Sequence, residues 1–372
     1  MVSSGLIEEG ESAMNRVYNF AAGPATMPTE ALETAAREML CYGGTGMSVM
    51  EMSHRSKMYL EIFDETEALV RELMGVPDDY AVLFLQGGAT GQFAAIPLNL
   101  LSRSADYIDS GNFAHGAMAE ARKYGAVRCV ASSREENYTR IPAWNAADFD
   151  PEADYFYITT NNTIFGTRFA ELPETGSVPL VADMSSNILS EVCDVRRFGV
   201  IYAGAQKNIG PAGVTLVIVR RDLLGRARET CPKVMNWALM AENGSMLNTP
   251  PTYSIYMAGL CLKWLKKQGG VPAIEKVNIE KAQLLYDLLD GSAFYRPTAD
   301  VRCRSRMNVT FTTPSPELDA KFVKEAAQAG LVNLKGHRLV GGIRASIYNA
   351  MPVSGVRALA EFMKKFEMEN AK

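Results

Sequence analysis

The sequence predicts an α/β fold in which helices cover a mainly parallel central sheet and a smaller α/β domain follows at the carboxyl end. From Pro28 onward, helical patterns alternate with short β-branched or aromatic runs, an order typical of a parallel sheet with helices on its faces. The order of elements changes after two longer helical patterns that flank Gly269 and Gly270. A chain of 372 residues is long enough for two such domains.

The first part of the chain, residues 15–269, is predicted to form the large domain. Apolar residues that recur at helical spacing indicate helices at 28–40, 57–75, 91–101, 113–124 and 253–268. Short runs of β-branched and aromatic residues indicate strands at 80–85, 105–109, 126–131, 155–160, 179–182, 199–203 and 214–219. These runs are the length of strands and are far too short to cross a bilayer.

The second part, residues 270–372, is predicted to form the small domain. A long helix is expected at 273–289, followed by strand 307–313, helix 316–330, strand 343–347 and helix 352–366. Residues 1–14 are interpreted as a leader, either a disordered tail or an added segment. Residues 1–13 have neither the basic start nor the apolar stretch of a signal peptide.

The composition is typical of a globular enzyme, with 47% apolar residues, 22% charged residues and a net charge of −4. Basic residues are interspersed with acids, which argues against a nucleic-acid surface. The six cysteines form no Cys-x-x-Cys pair, which argues against a metal site or a disulfide framework and suits a reducing compartment. We therefore expect a cytoplasmic protein with no nucleic-acid or membrane partner.

Two charged residues stand at the ends of neighbouring predicted strands. Asp183 closes the run 179–183, and Lys207 follows the run 200–204. Ligands of open α/β sheets bind at the carboxyl ends of strands, so both side chains are placed to share a site. Pyridoxal phosphate needs such a pair, a lysine for a Schiff base and a carboxylate that keeps its pyridine nitrogen protonated. A surface lysine and a helix-capping aspartate would fit the spacing alone equally well.

A loop rich in small residues, 86–91, follows the predicted strand 80–85 and opens an apolar helix. Small residues let the backbone approach a ligand closely, and a helix start offers unpaired N–H groups to a phosphate. The loop matches neither a Walker P-loop nor a dinucleotide fingerprint. By itself it indicates only a tight turn, but together with Lys207 and Asp183 it favours a phosphate site.

Two of the three histidines lie beside an arginine, in the pairs His54–Arg55 and His337–Arg338. Arginine presents a rigid fork that matches phosphate or carboxylate, and the histidine can add a donor. Arg344 enters an otherwise apolar predicted strand, where its charge needs a partner such as a substrate carboxylate. The alternative, surface arginines in weak salt bridges, fits most arginines of the chain.

Two further residues have more than one interpretation. Phe113 could be a core aromatic at a helix start or a platform under a flat cofactor ring. Thr163 could be a turn residue or a hydroxyl donor to a cofactor oxygen. The physical chemistry of the sequence leaves both alternatives open.

Six stretches of the chain together resemble one family. They are 19–24 (NFAAGP), 53–56 (SHRS), 91–93 (GQF), 204–208 (GAQKN), 248–252 (NTPPT) and 341–350 (GGIRASIYNA). Through these motifs the chain, over about residues 17–366, resembles the phosphoserine aminotransferases. These are fold-type I pyridoxal-phosphate enzymes of the class V aminotransferase family. The last stretch is close to diagnostic, and the whole set is highly specific.

The resemblance implies a role for each candidate residue toward the cofactor. Lys207 would be the Schiff-base lysine, and Asp183 would be the partner of the pyridine nitrogen. The remaining implied contacts are ring stacking by Phe113, a hydrogen bond from Thr163 to the 3-hydroxyl oxygen, and a phosphate cradle of Ala89, Thr90 and Gln206, with Asn248 and Thr249 reaching in from a second subunit. The family pattern therefore implies a homodimer with shared active sites.

For the substrate, the resemblance implies that Arg344 binds the α-carboxylate. The distal phosphate would be received by the two histidine–arginine pairs, His54, Arg55, His337 and Arg338. The implied reaction moves an amino group between L-glutamate and 3-phosphohydroxypyruvate and gives O-phospho-L-serine and 2-oxoglutarate, in serine biosynthesis. Some members also use 4-phosphohydroxythreonine in pyridoxine biosynthesis, and the sequence leaves open whether this chain does.

Three positions depart from the family pattern. Thr90 stands where some members have arginine, which removes one cation from the distal pocket. Phe113 stands where tryptophan is frequent, which reduces the stacking area, and Asn162 stands where many members have glutamate. None of these departures removes an essential catalytic group.

Two rival functions share parts of this pattern. A cysteine desulfurase, or another aminotransferase of the same fold type, is the nearer one. A desulfurase would need a mobile catalytic cysteine and usually a histidine on the cofactor ring, where this chain has Phe113. The other rival is a non-catalytic phosphometabolite-binding protein, and the retention of both Lys207 and Asp183 argues against it.

Overall fold

A seven-stranded sheet forms the centre of the molecule in the computed structural model, which describes residues 16–371. The strands are β1 Tyr18–Asn19, β2 Tyr80–Leu85, β3 Ser104–Asp109, β4 Ala126–Ser132, β5 Tyr155–Thr159, β6 Asn161–Asn162, β7 Thr167–Arg168, β8 Leu180–Asp183, β9 Val200–Gly204, β10 Thr215–Arg220, β11 Arg296–Pro297, β12 Asn308–Thr312, β13 Leu331–Val332 and β14 Ile343–Ser346. The helices are α1 Thr29–Glu38, α2 Lys57–Met74, α3 Gly88–Leu100, α4 Asn112–Ala121, α5 Trp237–Glu242, α6 Thr252–Lys267, α7 Gly270–Gly291, α8 Pro316–Gln328 and α9 Val353–Asn370.

The central sheet has the strand order β2-β10-β9-β8-β5-β3-β4. Strand β10 runs antiparallel to both of its neighbours, and the other pairings are parallel. Strands β2, β5 and β9 are buried along their whole length, as expected for strands covered on both faces. All seven strands of the sheet were predicted from the sequence, and the mainly parallel α/β class is confirmed.

Each face of the sheet has its own hydrophobic cluster. One cluster joins residues such as Phe156 and Ile201 to helices α2 and α6. The other joins residues such as Tyr157 and Tyr202 to α3, α4 and α5. Successive side chains of a strand point to opposite faces, so each strand supplies both clusters. This arrangement fixes which side chains end up at the carboxyl edge of the sheet.

A second, three-stranded sheet of order β11-β12-β14 packs with α7, α8 and α9 around a third cluster. The fully buried Phe20 belongs to this cluster, and β1 pairs in parallel with β13 through Tyr18 and Leu331. Helix α7 joins both regions, because Ile274 packs in the first cluster and Leu285 in the third. The division into domains 15–269 and 270–372 therefore stays a prediction, and the predicted leader 1–14 lies outside the described residues.

Several elements differ from the predicted bounds. Helix α3 begins at Gly88 instead of residue 91, because Gly87, at φ 96°, forms its N-cap in a left-handed conformation that glycine adopts at little cost. Helix α9 continues to Asn370, beyond the predicted end at residue 366. Helix α5 and the two-residue strands were not predicted. In the part of the chain that the structure describes, no helix is both long and apolar enough to cross a membrane.

Candidate active site

Four neighbouring strands end at one edge of the central sheet and carry the candidate residues. Strand β8 ends at Asp183, and β9 ends three residues before Lys207. Strand β5 leads through a short turn to Thr163, and β3 leads to Phe113 near the start of α4. These four strands are parallel neighbours in the sheet, so their carboxyl ends converge on one site.

Lys207 lies at the centre of this site. Its Nζ donates a hydrogen bond to Thr163 Oγ1 at 2.7 Å and lies 5.6 Å from the centre of the Phe113 ring. The pKa of Lys207 is lowered to about 8. Burial and the charge of Arg344 lower it by more than the charge of Asp183 raises it. A substantial fraction of the amine is therefore neutral near physiological pH, as a nucleophile or a base requires.

Asp183 is 4% exposed and is held by two donors. Its Oδ1 accepts from the backbone N–H of Ser185 at 2.9 Å, and its Oδ2 accepts from the hydroxyl of Tyr202 at 3.2 Å. These two hydrogen bonds fix the orientation of the carboxylate. The site thus contains a rigid buried negative charge close to the Lys207 amine.

Phe113 is placed by a close approach between the backbone of Gly111 and the side chain of Asn162. A Cβ at Gly111, the N-cap of α4, would lie 2.4 Å from Asn162 Oδ1, so a larger residue there would require the buried Asn162 side chain to move. The Phe113 ring packs against the small cluster that contains Ile164 and Tyr138. Its position beside Lys207 is consistent with the platform interpretation.

A cavity of about 130 Å³ lies next to Lys207's partner Thr163 and is lined in part by His337, Arg344 and Thr310. Arg344, on β14, donates to the backbone carbonyl of Thr163 at 3.3 Å, and burial lowers its pKa. Burial also lowers the pKa of His337, and the charges of Arg344 and Arg338 add to that effect. The positive charge beside this cavity suits an anionic ligand.

The start of α3 forms the second half of the predicted site. Ala89 and Thr90 lie in its first turn, where backbone N–H groups have no partner within the helix. Asn248 donates to Gln86 Oε1 at 3.2 Å, and Gln86 donates to the carbonyl of Thr249 at 3.1 Å. The structure thus brings the 248–249 segment of the same chain to this loop. Gln206 is next to Lys207, and its carbonyl accepts from Ala25 N–H.

The pair His54–Arg55 is not brought to Lys207. Arg55 is exposed, and its Nε contacts His54 Nε2 at 3.3 Å. Among residues 16–371, neither side chain hydrogen-bonds to Lys207, Asp183 or Arg344. Arg338 is likewise exposed, next in sequence to His337, which lines the cavity. Roles for these residues stay predictions.

Sequence reasoning missed the residues that support the site from behind. Ser185 and Tyr202 hold Asp183, and Tyr348 donates to the carbonyl of Ala22 while accepting from Asn308. The position of Tyr202 could have been a clue. Tyr202 lies two residues before Gly204, the last residue of β9, and alternate residues of a strand face the same side of the sheet. In an apolar strand, however, a tyrosine is first interpreted as core.

Comparison with known proteins agrees with this geometry. The family model for class-V aminotransferases matches residues 17–359, so the chain belongs to the class-V aminotransferase family. A Bacillus cereus protein named phosphoserine aminotransferase is 54% identical over 359 residues, which cover 96% of this chain and 100% of that protein. The fold class is thus that of the fold-type I aminotransferases.

Solved structures give the same result. The phosphoserine aminotransferase of Bacillus circulans subsp. alkalophilus is 46% identical, with a TM-score of 0.92 over 95% of this chain and 99% of that one. The pyridoxal-phosphate-bound phosphoserine aminotransferase of Trichomonas vaginalis is 40% identical, with a TM-score of 0.90 over 94% of this chain and 100% of that one.

Proposed function

We propose that the chain is a pyridoxal-phosphate-dependent aminotransferase that moves the amino group between L-glutamate and 3-phosphohydroxypyruvate. The products are O-phospho-L-serine and 2-oxoglutarate, a step of serine biosynthesis. The observation that carries the chemistry is the Lys207 amine, with a lowered pKa, beside the buried Asp183 carboxylate. The names of relatives that are more than half identical over nearly the whole chain support the choice of substrate.

The residues present fit the proposed cofactor. Lys207 Nζ offers an amine for its aldehyde, and the Phe113 ring, 5.6 Å from that amine, offers a flat surface. Asp183 would hold the pyridine nitrogen, and the free N–H groups at Ala89 and Thr90 suit a phosphate. When bound, pyridoxal phosphate supplies an electron sink that stabilises negative charge at the substrate's α-carbon.

The side chains of the site divide the remaining work. Lys207 Nζ can accept the proton that leaves the substrate's α-carbon, because its lowered pKa makes the neutral form accessible. Thr163 Oγ1, 2.7 Å away, orients that amine. Arg344 lies half-buried nearby, and its planar fork suits the α-carboxylate that all amino acid substrates share. The Arg338 cation, with His337 as a neutral hydrogen-bond donor, would receive the distal phosphate or γ-carboxylate.

A cysteine desulfurase fits the site less well. Cys261 lines a small cavity together with Lys207, but it is 4% exposed. Burial raises the pKa of its thiol to about 12, so a thiolate nucleophile is disfavoured. This thiol also belongs to the rigid helix α6, whereas a desulfurase needs a mobile one.

We also propose a homodimer with shared active sites that works in the cytoplasm. The exposed Thr249, which the family pattern assigns to the neighbouring site, supports the dimer, as do the exposed apolar side chains Leu40 and Met50. We also propose that Arg55, which is exposed and makes no hydrogen bond to Lys207 in the described part of the chain, serves the site of the partner subunit. All six cysteines lie within the described residues and are free, which supports a reducing compartment.

The substrate is tested with a coupled assay that uses glutamate as the amino donor and detects 2-oxoglutarate. We expect turnover with 3-phosphohydroxypyruvate and much weaker turnover with hydroxypyruvate, which lacks the distal anion. Equal use of both acceptors would contradict the proposed substrate.

Substitutions of the two arginines should have different effects when the assay is run in reverse, with phosphoserine or alanine as the amino donor and 2-oxoglutarate as the acceptor. Arg338→Ala is expected to raise the KM for phosphoserine by about ten- to hundredfold, since a charge-assisted hydrogen bond is lost, and to affect alanine far less. Arg344→Ala should weaken both substrates together, because both have an α-carboxylate. If Arg338→Ala weakened alanine and phosphoserine equally, the assignment of the distal pocket would be wrong.

A further inference from the structure

Four fully buried tyrosines line one face of the central sheet behind Asp183. Tyr202 lies on β9, Tyr157 and Tyr155 lie on β5, and Tyr107 lies on β3, with β8 between β9 and β5. The hydroxyls of Tyr202 and Tyr157 are 2.6 Å apart, and those of Tyr107 and Tyr155 are 2.8 Å apart. The rings of Tyr107 and Tyr157 stack at 4.6 Å. Four polar hydroxyls in an otherwise apolar layer need an explanation beyond packing.

The hydrogen bonds of the first pair have a fixed direction. Tyr202 has a single hydroxyl proton and donates it to Asp183 Oδ2 at 3.2 Å. The short contact with Tyr157 can then only be a donation from Tyr157 to Tyr202. Both protons therefore point toward the carboxylate, and each bond polarises the next. The second pair, Tyr107 and Tyr155, has no hydrogen bond to Asp183 within residues 16–371.

We propose that Tyr202 and Tyr157 form a positioning relay that holds the Asp183 carboxylate toward the ring nitrogen of the cofactor and supports the proton on that nitrogen. The inference rests on the proposed function, because it assigns the residues that act through Asp183. Donation into the carboxylate stabilises its anion and so keeps the shared proton on the ring nitrogen. The ring then stays cationic and remains an effective electron sink.

The relay stays in its donating form over the working pH range. Burial raises the pKa of Tyr202 and of Tyr157 well above the usual value, and the negative charge of Asp183 adds to the effect. Neither hydroxyl therefore ionises near neutral pH. The Ser185 N–H donates to the other carboxylate oxygen and holds Asp183 from the opposite side. Loss of one tyrosine hydroxyl therefore changes the charge distribution of the Asp183 carboxylate more than its position.

The experiment uses the full chain reconstituted with pyridoxal phosphate labelled with nitrogen-15 in the ring. The nitrogen-15 chemical shift reports directly whether the ring nitrogen is protonated. Tyr202→Phe should move the shift toward the unprotonated value, and Tyr157→Phe should move it in the same direction by less. For Tyr202→Phe, kcat should fall about ten- to hundredfold, as for loss of a hydrogen bond to a charged group, with little change in KM.

Tyr155→Phe is the matched control. Like Tyr157→Phe, it removes a buried hydroxyl that is hydrogen-bonded to another tyrosine on the same face of the sheet. The hydroxyl of Tyr155 does not belong to the relay, because it pairs with Tyr107. It should lower the melting temperature of the cofactor-free protein about as much as Tyr157→Phe and leave the ring shift unchanged. If Tyr202→Phe fails to fold, the comparison of Tyr157→Phe with Tyr155→Phe decides. Equal ring shifts in these variants would overturn the relay alone. Failure of the wild-type chain to bind the cofactor would overturn the proposed function as well.

Discussion

The Nζ of Lys207 lies between a carboxylate, Asp183, that favours its charged form and a guanidinium, Arg344, that disfavours it. Burial decides between them and lowers the pKa of the amine to about 8. The same two partners also serve other atoms of the site, since Asp183 is held by Tyr202 and Arg344 donates to Thr163. The reactivity of one lysine is thus set by residues from three strands and a turn.

The pKa of Lys207 predicts how the cofactor-free protein captures pyridoxal phosphate. The amine must be neutral to attack the aldehyde, so the capture rate should rise with pH through a midpoint near pH 8. Arg344→Ala removes a positive charge that lowers this pKa, so its midpoint should move to higher pH. The rate is measured by the growth of visible absorbance between about pH 6 and 10.

The cofactor also ionises in this pH range. Its contribution to the pH dependence is measured in a parallel series, in which pyridoxal phosphate reacts with a simple amine in solution, and is then subtracted. A midpoint that does not move in Arg344→Ala, after this correction, would show that Arg344 does not act on the Lys207 amine.

At the scale of elements, a second buried lysine holds the segment that carries Arg344. Lys281, on α7, is fully buried, and its Nζ donates to the backbone carbonyls of Ile347, Tyr348 and Met351 at 2.9, 2.7 and 3.1 Å. The same turn contacts the Lys207 loop, because Asn349 N–H donates to Asn208 Oδ1 at 3.0 Å. Lys281 therefore joins α7, the end of β14 and the loop that carries Lys207.

Lys281→Met should destabilise the fold, since three backbone carbonyls lose a donor in the interior. We expect the free energy of unfolding at neutral pH to fall by about 2–4 kcal/mol, measured by urea denaturation. The exposed Lys276 of the same helix provides the control, and Lys276→Met should change stability by less than about 0.5 kcal/mol.

The pH dependence of stability gives a second check on Lys281. Burial lowers its pKa to about 7, so between about pH 7 and 10 the unfolded chain binds more protons at this residue than the folded chain does. This difference makes wild-type stability rise with pH across that window. Lys281→Met should lose that part of the rise, while the contribution of Lys207 stays in both proteins. Identical pH slopes would contradict the burial of a titrating amine.

The elements that could be predicted from the sequence are those whose signal is local. Strands β2, β5 and β9 are continuous apolar runs because they are buried on both faces, and Asp183 and Lys207 could be placed because they follow such runs. Strand β1 has two residues and exists through its pairing with β13, more than 300 residues away. The hydrogen bond between Tyr202 and Asp183 also depends on the folded arrangement, as do the hydrogen bonds from Lys281 to three backbone carbonyls. No local sequence pattern predicts them.

At the scale of the whole molecule, residues 15–269 and 270–372 are proposed as the large and small domains. Their separate hydrophobic clusters support the division, while α7, which packs in both, and Phe20, which packs in the third cluster, join them. Arg344 reaches Thr163 across this boundary. The cavity lined by Ile164 and Arg344 is therefore built from both regions.

The proposed shared sites predict complementation between two defective chains. Lys207→Ala and Arg55→Ala should each be defective alone. If Arg55 serves the partner's site, a mixed dimer has one intact site, and random reassociation of equal amounts should restore about one quarter of wild-type activity. The measurement is specific activity after co-refolding. Activity no higher than the mean of the two separate variants would contradict sharing through Arg55.

The central claim is that Lys207 is the lysine that binds the cofactor. Borohydride reduction makes the bond between a lysine amine and pyridoxal phosphate permanent, and mass spectrometry of a digest then locates the added mass. The account predicts that the mass lies on the peptide containing Lys207 and is absent from Lys207→Ala. Lys281, the other buried lysine with a lowered pKa, is the natural competitor. Finding the added mass on Lys281, or on any lysine other than Lys207, would contradict the account.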